Sequence, residues 1–162
     1  MPDPRAESEW FDRPDPTGET DTAERGLRFT CTQCGNCCSG PPGYVGFTPE
    51  EGRAIARTLG VTETEFLERF TRDTPEGRSI KDLRKAGSRS WDCVFLDRTP
   101  DGRALCTIYD ARPAQCRTWP FWSSVLLSPR TWKGAGTTCP GMNTGTLHPP
   151  QTIRVTRDRV DI

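Results

Sequence analysis

The sequence predicts a small, irregular α+β domain stapled by metal, with a helical hairpin, a short β-hairpin and long loops. Three observations carry this expectation. Eight of the 162 residues are cysteine, and four of them fall between Cys31 and Cys38. Glycine and proline contribute 15 residues each and hydrophobic residues only 33%, so loops abound and a large apolar core is not expected. Two capped helical patterns and two β-rich runs joined by a turn signal lie between the cysteine groups. A chain of this make-up usually needs a staple, and the cysteines are the obvious one.

Residues 1–26 read as a disordered acidic tail. Asp3, Glu7, Glu9, Asp12, Asp15, Glu19, Asp21 and Glu24 outnumber three arginines, and few apolar groups are present to offset the entropy of ordering. Trp10-Phe11 is the exception and is expected to dock on the domain. Residues 27–162 form that domain. Its cysteine loop, Phe29 to Gly46, is broken by Gly35, Gly40, Gly43 and Pro41-Pro42. Gly35 between ligand pairs lets backbone N–H groups turn toward sulfur.

A first helix is predicted from Thr48, with Pro49 at its first position, Glu51 completing a capping box and Gly60 ending it. A second begins at Thr62 with Glu65 three residues on, and Phe66, Leu67 and Phe70 supply its apolar face. Ile80 and Leu83 hint at a short strand. Trp91–Leu96 and Ala104–Tyr109 read as a hairpin around Asp101-Gly102, which would set Cys93 and Cys106 on paired strands. Asp110 caps a helical turn, Ala111 to Arg117. An apolar stretch from Trp119 to Leu127 follows, then a Gly/Thr loop bearing Cys139. Ile153 and Val155 alternate with polar residues and suggest a late edge strand.

Thiolate is a soft ligand suited to zinc and iron–sulfur clusters. Cys31, Cys34 and Cys37 match the rhythm of three cluster ligands on one loop, whose fourth ligand is often remote in sequence. Cys31 and Cys34 also form a C-x2-C zinc knuckle, but the distal half offers no second such pair. The rhythm favours iron–sulfur over zinc. Adjacent Cys37 and Cys38 diverge as neighbours do, so they should serve different sites, or Cys38 is a spare thiol able to act as a redox or exchange ligand.

Other classes find less support. Met1-Pro2-Asp3-Pro4 has neither the basic start nor the apolar stretch of a signal peptide, so a cytoplasmic, reducing setting is expected. No apolar run approaches the ~20 residues of a membrane span. No basic run marks a nucleic-acid surface. The lone His148, in a polar tail before Pro149-Pro150, is expected to be exposed rather than a ligand, and no hydrolytic triad is present. A protein partner remains open, and so does enzymatic activity.

The first cysteine group, the run Cys106-Thr107-Ile108-Tyr109-Asp110-Ala111-Arg112-Pro113-Ala114-Gln115-Cys116-Arg117-Thr118-Trp119-Pro120, and Cys139-Pro140-Gly141 together resemble the YkgJ-type cysteine-cluster family of zinc- or iron-chelating domains. The resemblance implies metal binding by Cys31, Cys34, Cys37, Cys38, Cys93, Cys106, Cys116 and Cys139. A similar cluster occurs in bacterial flagellin lysine methylases with an iron–sulfur centre. A cluster-dependent methyl-transfer or oxidoreductase activity is therefore one alternative to a redox or accessory factor, although no separate S-adenosylmethionine domain is visible. A structural zinc module that docks a partner is another. Arg112 and Arg117 flank Cys116 and are expected to offset the negative charge of a bound thiolate centre. Arg112 pairing with Asp110 at a helix start is the simpler alternative. Tyr109 and Trp119 are placed to shield the centre from water.

Overall fold

The computed structural model describes residues 8–18 and 23–162. Asp3, Glu7, Glu19 and Asp21 of the expected tail lie outside the described residues. In chain order the elements begin with β1 (Leu27–Phe29), β2 (Ser39–Gly40), α1 (Pro49–Leu59) and α2 (Glu63–Phe70). The strands β3 (Thr71–Thr74), β4 (Gly77–Ile80), β5 (Asp82–Arg84), β6 (Trp91–Cys93), β7 (Leu96–Arg98) and β8 (Ala104–Cys106) follow. The chain ends with α3 (Ala114–Thr118), α4 (Ser123–Leu126), α5 (Pro129–Gly136), β9 (Met142–His148) and α6 (Pro150–Arg157). The class is the mixed α+β expected. The described chain divides into two compact units, one of residues up to Thr32 with Thr118–Ile162 and one of Gln33–Arg117.

In the terminal unit, β1 pairs antiparallel with β9, Leu27 opposite His148, with a bulge between Arg28 and Phe29. Phe11, Leu27, Phe121, Val125, Leu126, Trp132, Met142 and Ile153 are buried together, with Cys139 among them. Within the segment read as an acidic tail, residues 8–18 pack on this unit, with Trp10-Phe11 docked as expected. Phe11 is fully buried, and Trp10 donates its indole N–H to the Leu126 carbonyl at 2.7 Å. Glu9 pairs with Arg154 at 2.7 Å and also with Arg157, and Asp12 pairs with Arg154. Composition suggested a tail because the compensating cations stand some 140 residues away in sequence. The stretch read as a late strand is α6. Its helical period buries Ile153 completely and leaves Val155 exposed, and two alternating residues cannot distinguish that from a strand.

In the central unit, both helix caps form as the sequence predicts. Thr48 Oγ1 accepts from Glu51 N at 3.2 Å, and Glu51 Oε2 accepts from Thr48 N at 2.8 Å. Thr62 and Glu65 repeat the arrangement at 3.1 and 2.8 Å. Helices α1 and α2 form the predicted hairpin and bury Ile55, Ala56 and Phe66 against Ile80, Phe95 and Ile108. The strand expected around Ile80 and Leu83 is two strands, β4 paired with β3, and β5 at one edge of the sheet β2-β6-β5.

Two further expectations change. The hairpin is shorter than predicted: only β7 and β8 pair around Asp101-Gly102, with Leu96 opposite Cys106. Trp91–Cys93 belongs to β6, with Cys93 opposite Asp82. The chain leaves β6 because Val94 N donates to the Lys81 carbonyl and Phe95 turns into the core. The single helical turn expected from Ala111 to Arg117 is split into a 3-10 turn, Tyr109–Ala111, and α3. Pro113 has no N–H to give and holds Arg112 extended, at ψ 139. Among the described residues no helix is long and apolar enough to cross a membrane.

Replacing Phe11 by alanine should lower the free energy of unfolding by about 3–5 kcal/mol, the usual loss for emptying a buried aromatic site. Urea unfolding followed by tryptophan fluorescence measures this. A change within error would mean that the N-terminal segment is not part of the core.

Candidate metal centre

None of the eight cysteines forms a disulfide. The central unit holds Cys34, Cys37, Cys38, Cys93, Cys106 and Cys116, and the terminal unit holds Cys31 and Cys139. Cys93 closes β6 and Cys106 closes β8. Each strand end continues into a turn whose third residue, Phe95 or Ile108, is buried. In both turns that residue's backbone N–H donates to the cysteine sulfur. Cys34 repeats the device, accepting from Asn36 N at 3.4 Å. An amide aimed at sulfur stabilises its ionised form. Gly35 makes the third case possible by adopting φ +78 between Cys34 and Asn36, as expected.

Cys37, Cys93, Cys106 and Cys116 stand within electrostatic reach of one another, every pair among them interacting. Burial pushes the Cys93 thiol up to about 11 and Cys116 up to about 12, and charge on the neighbouring sulfurs adds to both. Cys106 is also raised, first by burial. Cys37 is open to solvent on one side. Its thiol is raised above all by a hydrogen bond with Cys38, whose sulfur lies 3.7 Å away, then by burial of the sulfur and by Cys38's charge.

Arg112 acts in the opposite sense and lowers Cys37, Cys106 and Cys116. Its guanidinium lies 3.8 Å from the centre of the Tyr109 ring, and Nε donates to the Tyr109 carbonyl at 3.0 Å. Arg117 is turned elsewhere, to Glu51 at 3.7 Å. Tyr109 is exposed and serves as the platform for Arg112. In the terminal unit, Trp119 Nε1 donates to the buried Cys139 sulfur at 3.4 Å, and Cys31 is exposed. His148 is half-buried rather than exposed, with Nε2 3.0 Å from the Phe29 carbonyl.

Several supporting groups have no signal in the sequence pattern. Gln115, beside Cys116, clamps α3 to the cysteine loop by donating to the Tyr44 carbonyl at 2.6 Å and accepting from Gly46 N at 2.9 Å. Glu51 caps its own helix and also accepts from Ala114 N at 2.7 Å. Arg98 donates to the Cys34 carbonyl at 3.2 Å. The amides of Phe95 and Ile108 could have been found from the repeated pattern Cys, any residue, large apolar residue.

By donor chemistry the group fits a soft ion or cluster: four sulfurs, directed amides and one compensating cation. Among the described residues no three or more Cys, His, Asp or Glu side chains are already arranged to hold a metal ion. Residues 30–140 match the CxxCxxCC family, described as "Putative zinc- or iron-chelating domain". The chain belongs to this family. The matched span includes every cysteine of the sequence, so both units carry CxxCxxCC residues. No solved structure matches the chain.

A Cβ on Gly35 would lie 2.8 Å from Ala104 Cβ and 3.1 Å from the Arg98 guanidinium, whereas one on Gly60, also left-handed, meets nothing within 4 Å. Gly60→Ala should therefore cost about 1–2 kcal/mol for its backbone alone, and Gly35→Ala about 1–3 kcal/mol more. Urea unfolding of the two variants checks the difference. Equal losses would mean that the Cys34 turn is not packed on the β7–β8 hairpin.

Proposed function

We propose that the central unit holds a thiolate metal centre, an iron–sulfur cluster in the leading reading, and that the protein works as a redox or accessory factor in a reducing cytoplasm. The observation that carries this is the group Cys37, Cys93, Cys106 and Cys116, the last three half-buried and Cys37 exposed, mutually interacting and faced by Arg112. A bound cluster would supply one-electron transfer. Arg112 would offset the excess charge of four thiolates, and the Phe95 and Ile108 amides would hold two sulfurs in orientation. A purely structural role for the metal is the weaker reading, because the unit already has its own apolar core around Ile55, Phe66 and Phe95.

Zinc is the second reading, and one observation favours it. Cys37 interacts electrostatically with Cys93, Cys106 and Cys116, all from the distal half of the sequence. Cys37 thus joins the distal thiols, as in a closed four-sulfur zinc site.

Iron, zinc and acid-labile sulfide measured on protein purified without oxygen decide between the two. About four irons and four sulfides per chain mean a cubane cluster. Zinc without iron or sulfide means the second reading. Cys116→Ser should strip whichever metal is found and lower the melting temperature, because metal-binding energy is also folding energy. Full metal content in that variant would remove Cys116 from the ligand set and sink the four-thiol reading.

A further inference from the structure

We propose that the loop joining β5 to β6, residues 85–90, together with Arg84 binds a diphosphate group, either free or carried by a nucleotide. No metal in the thiol group is needed for it. Arg84, Lys85 and Arg89 place three exposed cations within six residues. None of the three has an ion pair or a side-chain hydrogen bond among the described residues. By contrast, Arg53, Arg72, Arg78, Arg103 and Arg117 of the same unit each stand against a carboxylate. Residues 84–89 line a hollow of about 410 Å³, a volume within the usual range of small-ligand sites. The antiparallel pairing of β5 with β6, Arg84 opposite Trp91, fixes both ends of the loop.

The backbone adds donors to these cations. Lys85 N donates to the Ser90 carbonyl at 3.0 Å, Ser88 N to the Lys85 carbonyl at 3.1 Å, and Ser90 N to Ser88 Oγ at 3.0 Å. These bonds close the loop and leave the N–H groups of Ala86, Gly87 and Arg89 without an acceptor among the described residues. Gly87 is left-handed at φ +71, and a Cβ there would meet nothing within 4 Å, so the turn is open on that side. Turn amides of this kind form a concavity suited to anionic oxygens. Guanidinium forks match phosphate oxygens in pairs, and an ammonium adds a point charge. Three cations exceed the charge of one phosphate group, so a diphosphate is the better match. The loop has no aromatic ring on which a base could stack, which argues against single-stranded nucleic acid. The free amides favour a compact phosphate over carboxylates spread along an acidic protein segment.

Pyrophosphate is the probe. Isotope-labelled full-length protein is titrated with it at physiological ionic strength, and backbone amide shifts are followed by NMR. The amides of Ala86, Gly87, Ser88 and Arg89 should move together and half-saturate below about 1 mM. The triple variant Arg84→Gln, Lys85→Gln, Arg89→Gln should bind about tenfold more weakly or worse. Its melting temperature should match wild type, because the three side chains are exposed and unpaired. ADP separates the two sources: tighter binding than pyrophosphate assigns the site to a nucleotide, and equal binding to free diphosphate. Either result supports the site. No shift in the loop up to about 10 mM pyrophosphate overturns the inference, as do shifts that persist in the triple variant. Tighter binding at this loop by a glutamate-rich peptide or a short single-stranded RNA also overturns it, since the loop would then dock that class of partner. None of these failures touches the metal reading, because the loop contains no cysteine.

Discussion

Cys37, Cys93, Cys106 and Cys116 stand within electrostatic reach of one another and repel one another as soon as they ionise, and that repulsion constrains any centre they could hold. Without a cation, burial and mutual charge hold Cys93 and Cys116 well above the usual thiol range. The counterweights are few: amides aimed at the sulfurs of Cys93 and Cys106, and the guanidinium of Arg112 stacked on Tyr109. They reduce the repulsion without cancelling it. A soft cation that drew these sulfurs together would offset the repulsion, releasing protons as it bound.

The parts of the fold that follow local rules were legible in the sequence. Thr48 with Glu51 and Thr62 with Glu65 need only their own four residues to form a cap, and the helices begin where those pairs stand. The Asp101-Gly102 turn is equally local. What depended on distant partners was not legible. Residues 8–18 dock through buried Phe11, which the sequence marks, and through the pairing of Glu9 and Asp12 with Arg154 and Arg157, which composition near the N-terminus does not show. The membership of the thiol group was hidden for the same reason. Spacing groups Cys31, Cys34 and Cys37 together. Electrostatic interaction links Cys37 with Cys93, Cys106 and Cys116, and the pairing of β2 with β6 carries the cysteine loop to Cys93. Arg112 and Arg117 look alike in sequence, each within a turn of Cys116. In the fold Arg117 stands 3.7 Å from Glu51, whereas Arg112 faces the thiols.

Low hydrophobic content suggested that metal replaces a core. The structure instead gives each unit an apolar cluster of its own, one around Trp132 and Phe121, the other around Phe66 and Phe95. Cys93 and Cys106 pack against the second cluster from its margin. Their strands end where Phe95 and Ile108 enter the core, so hydrophobic burial sets where the sulfurs point. The core therefore positions the thiols, which is the reverse of a fold held up by its metal alone.

The same logic explains why the remaining thiols of the loop differ from one another. Cys34 is fixed by Asn36 N and by Arg98 on its carbonyl, contacts that hold it against the β7–β8 hairpin. Three residues on, the 3-10 turn gives Cys37 and Cys38 a shared outer face. Gly35 joins the two environments. Its left-handed backbone is what lets the chain pass from one to the other within a single turn, and the closeness of Ala104 leaves no room there for a side chain. A fixed sulfur on one side of a glycine and two neighbouring sulfurs on the other, Cys37 exposed and Cys38 half-buried, follow from one backbone angle.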